Sequence, residues 1–460
     1  MMKKTRIAVT LLLLTVILMT GFSQDLPKPT ARQLNWQQLE TNAFLHFTVN
    51  TFTDKEWGDG TESPAIFNPT KLNARQWIKA LKEAGFKMAI ITAKHHDGFC
   101  LWPSKYTAHT VKNSPYKNGK GDIVKEVADA CKEYGMKFGF YLSPWDRHEP
   151  SYGTSAYNDH YKNQLKELLT NYGEVSEVWF DGAKGENAKD MQYDFDGYWA
   201  LVRKLQPKAV MFSDAGPDVR WVGNEKGNAG ETCWSTINTE GMAPGKADPK
   251  YLNIGDPNGK KWIPAETDVS IRPGWFWHEK ENEKVRTPQN LVNLYYQSVG
   301  RNSLLLLNIP PNNEGLLPAT DVSNIKAFRR ILDETFIVNF AKGKTVPKLT
   351  DKLLNTFITL KENEPFIIDL KQTLKIDRAL LQENISTGQR VEGALLEYWD
   401  GKEWKTIQSF TTIGYKRLLR FKEVEASKFR FTILKSKATV QLAEAGFFKA
   451  SINEQDISLK

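Results

Sequence analysis

The amino-acid sequence predicts a (β/α)₈-like barrel followed by an antiparallel β-sandwich, and three observations support this fold class. Continuous apolar runs alternate with helical patterns up to about residue 340, which is typical of parallel strands buried on both faces. Short alternating stretches separated by turn residues then follow, as in antiparallel sheets. Because 460 residues exceed what one core usually holds, two domains are expected, at residues 25–340 and 345–455.

The first 24 residues have the features of a secretory signal peptide. Basic residues precede an apolar run, and small or polar residues follow it. The run is short for a membrane anchor, no basic stop-transfer cluster follows it, and no cysteine is placed for a lipid anchor. We therefore expect cleavage near Gln24 and an exported protein with no stable membrane insertion. A Gram-negative periplasm is preferred to the extracellular medium.

The elements of the barrel alternate along the chain. The predicted strands comprise residues 43–50, 86–96, 137–146, 174–182, 209–214 and 303–311. The predicted helices comprise residues 73–85, 121–135, 156–173, 191–206 and 287–302. Residues 215–285 are poorly periodic and are expected to form long loops over the barrel mouth with at least one weak strand or helix. An open doubly wound sheet is the alternative, but no glycine-rich fingerprint follows the first strand.

The second domain is predicted from stretches in which apolar and polar residues alternate. These stretches comprise residues 366–370, 394–410, 417–434 and 443–450. Asp400 and Gly401 supply the turn of a predicted two-stranded hairpin within the second stretch. Two roles are open for this domain, since it either binds carbohydrate as a module or supports the barrel.

Composition and missing motifs narrow the classes of function. The net charge is +8, but lysines and glutamates are interspersed, and no basic stripe with interleaved aromatics predicts nucleic-acid binding. The three cysteines, Cys100, Cys131 and Cys233, are too few for a disulfide framework and are interpreted as buried fillers. The sequence contains no HExxH metal motif, no GxSxG nucleophile elbow and no phosphate-binding P-loop.

Polar side chains occur at or after the ends of successive strands, where a barrel collects its active site. His46 lies in the first predicted strand, His95 and His96 end the second, Asp146 ends the third and Asp181 follows the apolar "VWF". A turn or helix-cap aspartate is the alternative interpretation of Asp181. A metal site is disfavoured, because consecutive histidines on an extended segment point to opposite sides.

Carboxylates among aromatic residues and histidines are what glycoside cleavage requires. One carboxylate attacks the anomeric carbon, and a second carboxyl group, whose pKa burial has raised, protonates the leaving oxygen. The second group can come from a loop, and the segment "WVGNEKGNAGETCW" offers Glu225 and Glu231. The residues alone leave both open, since one of the two must be an ordinary exposed loop glutamate.

Four long motifs resemble glycoside hydrolase family 29, the α-L-fucosidases. They are "FLHFTVNTFTDKEWGDG", "TAKHHDGFCLWPSKYT", "YLSPWDRHEPSYG" and "EVWFDGAKG". The resemblance covers essentially the whole chain after the signal peptide and is strongest to the subgroup that prefers branched α-1,3/1,4-linked fucose. It implies a retaining exo-enzyme without metal or organic cofactor that acts on fucosylated oligosaccharides or glycoconjugates. The alternatives are another retaining exo-glycosidase, such as an α-L-galactosidase, and a non-catalytic glycan-binding protein.

The resemblance also implies roles for individual residues. Asp181 matches the nucleophile, and Glu225 is preferred to Glu231 as the acid/base. The implied sugar contacts are His46, Glu56, Trp57, His95, His96, Tyr141, Trp179, Arg272 and Trp275. Asp97 is assigned a structural role, and Asp146 a contact with the branching sugar.

Overall fold

The computed structural model describes residues 26–454, so the predicted signal peptide lies outside the described residues. The strands of the first domain are β1 (Thr41–Leu45), β2 (Met88–Lys94), β3 (Lys137–Leu142), β4 (Glu177–Trp179), β5 (Val210–Ser213), β6 (Val219–Trp221), β7 (Thr236–Ile237), β8 (Lys261–Trp262), β9 (Ala265–Ser270) and β10 (Leu304–Asn308). Eight of them are parallel and close into a barrel in the order β1-β10-β9-β6-β5-β4-β3-β2. Strands β7 and β8 form a separate antiparallel ribbon. The predicted barrel is therefore confirmed.

Helices surround the barrel and follow most of its strands. They are α1 (Ala31–Gln37), α2 (Asn50–Thr53), α3 (Ala74–Glu83), α4 (Ile123–Tyr134), α5 (Ala156–Asn171), α6 (Phe195–Leu205), α7 (Pro249–Ile254), α8 (Pro288–Gln297) and α9 (Ala319–Phe336). The ends of α4 show why a helix begins and stops there. The Asp122 carboxylate accepts a hydrogen bond from the Lys125 N–H at 2.9 Å, and Gly135 adopts the left-handed conformation with φ of 63°.

Two barrel strands and one long helix were not predicted individually. Strand β6 reads "VRW" and β9 reads "AETDVS", so charged residues interrupt the apolar pattern. Their side chains are nevertheless buried, because Arg220 donates to backbone carbonyls while Glu266 and Asp268 accept from tryptophan N–H groups. The unpredicted helix is α9. Strands β5 and β6 are joined by five residues, all of them described, and these residues contain no helix.

Six antiparallel strands form the second domain. They are β11 (Ile358–Leu360), β12 (Phe366–Glu383), β13 (Val391–Trp399), β14 (Trp404–Phe410), β15 (Arg417–Ser436) and β16 (Val440–Phe448). Their order is β11-β16-β12-β15-β13-β14. Strands β12 and β15 pair with register shifts, which mark the irregularities that bend long strands. The predicted antiparallel domain is confirmed, although hydrogen bonds join its strands into one sheet rather than two.

The two domains meet where residues 300–302 run beside residues 415–418. Arg301 and Arg417 form an antiparallel bridge there, with backbone hydrogen bonds of 3.0 Å on both sides of it. Each domain also has its own apolar core. Among residues 26–454, no helix combines the length and the apolar character needed to cross a membrane.

Candidate active site

A cavity of about 680 Å³ opens at the carboxyl ends of the barrel strands. This is the face at which (β/α)₈ barrels hold their active sites. All of the predicted site residues except Arg272 line it, namely His46, Glu56, Trp57, His95, His96, Tyr141, Trp179, Asp181, Glu225 and Trp275. The fold therefore brings together residues that are far apart in the chain.

Asp181 lies two residues after β4 and is held by hydrogen bonds on both carboxylate oxygens. Its Oδ1 accepts from the Ala183 N–H at 2.8 Å, and its Oδ2 accepts from the Tyr141 hydroxyl at 3.0 Å. Burial and the negative charge of Asp181 raise the pKa of Tyr141 well above its usual value, so the hydroxyl stays protonated and donates. The His96 Nε2 lies 3.7 Å from Oδ2. Asp181 is thus oriented toward the cavity by neighbours on β3 and after β2.

Three buried histidines form one wall of the cavity and are neutral at physiological pH. Burial lowers the pKa of His46 to about 3 and that of His96 to about 4, and it lowers the pKa of His95 well below its usual value. The His95 and His96 rings lie 4.1 Å apart, centroid to centroid. Within residues 26–454, no group of three His, Cys, Asp or Glu side chains is arranged to hold a metal ion.

The hydrogen bonds of two histidines define which ring nitrogen carries the hydrogen. His46 Nδ1 lies 2.9 Å from the Asn308 Oδ1, an acceptor, so this nitrogen carries the hydrogen. His96 Nδ1 lies 2.7 Å from the Ser143 Oγ, whose own hydrogen is donated to the Trp145 carbonyl at 2.6 Å. In both rings Nδ1 is therefore the donor, which leaves Nε2 to accept a hydrogen bond from a ligand hydroxyl.

Glu56 shapes the cavity wall by holding the segment that carries Trp275. Its carboxylate accepts from the Trp275 N–H at 2.8 Å, and the His278 Nε2 lies 2.6 Å from it. The neighbouring Trp57 is 46% exposed and packs edge-on against His96 with ring centroids 5.5 Å apart. An exposed tryptophan at a cavity mouth offers the flat apolar surface on which a sugar face packs.

The floor of the cavity is aromatic. Trp179 stacks on Phe212 with centroids 4.0 Å apart and on Tyr141 at 5.5 Å. The Trp179 Nε1 donates to the Glu266 carboxyl at 2.8 Å, which fixes the plane of the indole. All three rings line the cavity.

Glu225 reaches the same cavity from the loop after β6. The Trp275 Nε1 donates to its carboxylate at 3.3 Å. Partial removal of water by the surrounding protein raises the pKa of Glu225, and the negative charges of Asp181 and Glu56 raise it further. A carboxyl group with a raised pKa in the same cavity as a fixed carboxylate is the combination that acid-assisted displacement needs.

Glu231, the rival glutamate of this loop, does not line the cavity. Its side chain is 65% exposed and forms ion pairs with Arg301 and Arg417. The geometry therefore favours Glu225, as the resemblance did.

Arg272 was predicted to line the mouth of the barrel, but the structure places it elsewhere. Its guanidinium is buried, and it donates to both oxygens of Asp321 at 2.8 Å and to the Asn282 side chain at 3.0 Å. Because the whole fork is used inside the protein, Arg272 supports the segment before Trp275 and makes no contribution to the cavity surface.

Asp146 is likewise buried away from the cavity, so the expected contact with a branching sugar is not found. Its Oδ2 accepts from the Lys94 Nζ at 2.7 Å. Asp97 is fully buried, and it accepts from the Phe99 N–H at 2.7 Å and the Thr48 hydroxyl at 3.0 Å. Burial raises its pKa to about 7. These contacts fit the structural role expected of Asp97.

The structure adds site residues that the sequence interpretation missed. Asn308 and Asp214 lie at or just after the ends of β10 and β5, so the strand-end rule that found Asp181 identifies them as well. Trp221 and Asp268 line the cavity from β6 and β9, and were missed with those strands. The Trp221 Nε1 donates to Asp268 at 2.9 Å.

Carboxyl groups, neutral histidines and an exposed tryptophan at the mouth of a closed parallel barrel are the features that cleavage of a glycosidic bond uses. The sequence model of the α-L-fucosidase family matches residues 29–334. The chain is 46% identical over 445 residues to α-L-fucosidase 1 of Arabidopsis thaliana, which covers 92% of this chain and 88% of the plant protein. The chain belongs to glycoside hydrolase family 29, the α-L-fucosidases, and is an enzyme that hydrolyses O-glycosyl bonds.

Solved structures are similar over nearly the whole described chain. A Ruminococcus gnavus family 29 fucosidase in complex with fucose has a TM-score of 0.85 at 34% identity, covering 93% of this chain and 96% of that one. A family 29 glycoside hydrolase from an unknown rumen bacterium has a TM-score of 0.86 at 42% identity, covering 94% and 79%. The similarity thus includes the C-terminal sheet as well as the barrel.

Proposed function

We propose that this α-L-fucosidase is an exo-acting, retaining enzyme that releases L-fucose from branched, α-1,3/1,4-fucosylated glycans. The pairing of Asp181 and Glu225 in one cavity supports cleavage by two carboxyl groups, and the retaining course is inferred from the family 29 resemblance. Asp181 is fixed by two hydrogen bonds, whereas the pKa of Glu225 is raised by burial and by the charge of Asp181. The first is suited to attack and the second to proton donation.

The first step forms a fucosyl–enzyme ester. An oxygen of Asp181 attacks the anomeric carbon while Glu225 gives its proton to the departing glycosidic oxygen, so the glycan leaves as an alcohol. The Tyr141 hydroxyl, which donates to Asp181, orients the attacking carboxylate during this step.

The second step regenerates the enzyme. Glu225, now a carboxylate, accepts a proton from water, and the water oxygen attacks the anomeric carbon. The bond to Asp181 breaks, and L-fucose leaves with the configuration it had in the glycan, because two inversions have occurred.

Recognition of the sugar follows from the donors and acceptors of the wall. The free Nε2 atoms of His46 and His96 accept from two hydroxyl groups. The Trp179 and Tyr141 rings offer apolar surface that suits the methyl group of fucose, a sugar that lacks the hydroxyl at C6. The aromatic floor suits an apolar face of a terminal sugar, and exo-action is inferred from the family 29 resemblance.

The stereochemistry of the product tests the mechanism. Proton NMR spectra recorded during the first minutes of hydrolysis of an aryl α-L-fucoside should show the α-anomer of fucose before mutarotation. Release of the β-anomer first would mean a single displacement and would overturn the retaining proposal.

An α-L-galactosidase is the alternative activity, since the two sugars differ only at C6. We expect aryl α-L-fucoside to be hydrolysed faster than aryl α-L-galactoside under matched conditions. A faster galactoside would overturn the preference for fucose.

The linkage preference rests on the motifs and is tested with a substrate panel. Lewis-type trisaccharides with α-1,3- or α-1,4-linked fucose should be cleaved faster than a linear 2-linked fucoside. Equal or faster cleavage of the 2-linked sugar would overturn the branched-glycan proposal.

Export is proposed from the basic and apolar composition of the first 24 residues. Expression in a Gram-negative host should place the protein in the osmotic-shock fraction with a mature N-terminus near Asp25. An intact N-terminus in the cytoplasmic fraction would contradict export.

A further inference from the structure

We propose that the C-terminal sheet positions the general acid, because Arg417 and Arg301 clamp the loop that carries Glu225. This inference rests on the proposed function, since it assigns positioning residues to the proposed reaction. The loop comprises residues 222–233 and leaves the barrel after β6. It returns along the boundary between the two domains.

Glu231 is the centre of the clamp. Its backbone carbonyl accepts from the Arg417 Nη1 at 2.6 Å and from the Thr411 hydroxyl at 3.0 Å. Its carboxylate forms ion pairs with Arg301 and, at 3.2 Å, with the Arg417 Nη2. Two residues of the sheet domain and one of the barrel therefore fix a single loop residue.

Neighbouring loop residues are held from both sides of the same boundary, by Arg301 of the barrel and Thr412 of the sheet domain. The Arg301 Nη1 donates to the Ala229 carbonyl at 2.9 Å. The Cys233 N–H donates to the Thr412 hydroxyl at 3.0 Å. The clamp thus spans residues 229–233 rather than one side chain.

The charges explain why Glu231 is needed even though it does not line the cavity. Arg417 is buried, and burial together with the positive charge of Arg301 lowers its pKa. The two guanidinium groups share the Glu231 carboxylate. Without it, two like charges would face each other at the domain boundary, so the ion pairs favour one position of the loop.

The other end of the loop is held by the barrel. The Val222 N–H donates to the Glu266 carbonyl at 3.0 Å, and the Asn253 side chain donates to the Val222 carbonyl at 3.0 Å. Gly223 has a φ of 86°, and a Cβ there would lie 2.1 Å from the Pro249 carbonyl oxygen. Glu225 lies between the barrel anchor at residues 222–223 and the sheet-domain anchor, and the Ala229 N–H also donates to the Gln297 carbonyl of the barrel at 2.9 Å. Loss of the sheet-domain anchor therefore loosens the return segment of the loop and shifts the acid without touching Asp181.

The test compares poor and activated leaving groups in Arg417→Ala, in the conservative Arg417→Lys and in Thr411→Val, a milder variant that removes one hydroxyl. For Arg417→Ala, kcat/KM on a Lewis-type trisaccharide should fall about tenfold, while kcat/KM on 2,4-dinitrophenyl α-L-fucoside should fall less than about threefold, because the activated leaving group needs no proton. Thr411→Val should change the ratio of kcat/KM on the two substrates in the same direction, but by a smaller factor. Arg417→Lys should keep this ratio closer to the wild-type value than Arg417→Ala does.

Arg430→Ala is the matched control, because Arg430 lies on β15 and pairs with Glu397 at 2.6 Å. Arg430→Ala should leave the ratio of kcat/KM on the two substrates unchanged. Hydrogen–deuterium exchange provides a readout that does not depend on turnover: Arg417→Ala should speed exchange in residues 222–233 and leave the end of β4 unchanged.

The outcomes separate the clamp from the proposed function. Unchanged substrate ratios and unchanged loop exchange in both Arg417→Ala and Thr411→Val would overturn the clamp. A wild-type chain that released fucose from neither substrate would overturn the proposed function, and the exchange experiment would then decide the clamp alone.

Discussion

The two carboxylates proposed to carry the chemistry, Asp181 and Glu225, are held in different ways. Asp181 follows a barrel strand and is fixed by Ala183 and Tyr141, both close to the barrel wall. Glu225 lies on a loop whose return segment is bound to another domain through Glu231. The comparison teaches that the proposed nucleophile takes its position from the fold, whereas the proposed acid takes its position from a loop and its anchors.

The electrostatic surroundings of Glu225 favour its protonated form, which suits the proposed acid. Glu225 has a raised pKa because water is partly excluded and because Asp181 and Glu56 repel its charged form. The histidine wall adds no positive charge, since burial keeps His46 and His96 neutral. The site therefore separates the proposed proton donor from the proposed nucleophile by position and by charge, in keeping with the proposed double displacement.

The largest effect is expected from removing the strand-borne carboxylate. Asp181→Ala should lower kcat about 10³-fold or more, because no other group forms the covalent intermediate. Azide should restore part of the activity and give a fucosyl azide of inverted configuration. Asp196→Ala, at an exposed position in the first turn of α6, is the control. Full activity of Asp181→Ala would refute the nucleophile assignment.

The next effect distinguishes the two loop glutamates. Glu225→Ala should lower kcat/KM about 10²-fold or more on a trisaccharide and far less on an activated aryl fucoside, because only the poor leaving group needs a proton. Glu231→Ala should show a smaller effect of the same kind through the clamp. If Glu231→Ala showed the larger leaving-group dependence, the assignment of the acid would be wrong.

The pH profile sharpens the comparison further. Glu225 must be protonated in the first step, so kcat/KM should fall as pH rises through its pKa, which is raised above the ordinary value for glutamate. Glu225→Gln should remove this basic limb when an activated substrate is used. Steady-state rates between pH 4 and 9 check the prediction, and a basic limb that persisted in Glu225→Gln would contradict it.

The smallest effect concerns a carboxyl in the barrel wall that takes no part in the chemistry. Glu177 is fully buried on β4, and burial raises its pKa to about 8. The unfolded chain titrates near 4.5, so the folded state binds the extra proton between these values and stability falls as pH rises through this window. Glu177→Gln removes that dependence.

Thermal melting between pH 5 and 9 measures this effect. The melting temperature of Glu177→Gln relative to wild type should rise with pH, by at least about 2 °C over the window. Glu174→Gln, at an exposed position before the same strand, should run parallel to wild type. A constant difference between Glu177→Gln and wild type at all pH values would contradict the raised pKa.

The same comparison explains what could be predicted from the sequence. Six of the barrel strands are apolar runs, and Asp181 is recognisable because a polar residue follows such a run. Strands β6 and β9 were missed because Arg220, Glu266 and Asp268 interrupt their pattern, and their burial depends on partners that are distant in the chain.

The sequence alone could not decide which of the two loop glutamates is the acid. Glu225 and Glu231 lie in the same glycine-containing segment, and only the three-dimensional structure turns one toward the cavity and the other toward Arg301 and Arg417. Arg272 was misassigned for a related reason, since its partner Asp321 lies on a helix that the sequence did not reveal.

Trapping of the covalent intermediate tests the central claim most directly. A 2-deoxy-2-fluorofucosyl fluoride forms the ester quickly and releases it slowly, because the fluorine destabilises both transition states while the fluoride leaves without a proton. Peptide mass spectrometry of the inactivated wild-type protein should find one fucosyl group on Asp181 and none on Asp181→Ala. A label on another residue, or time-dependent inactivation without a label on Asp181, would contradict the account.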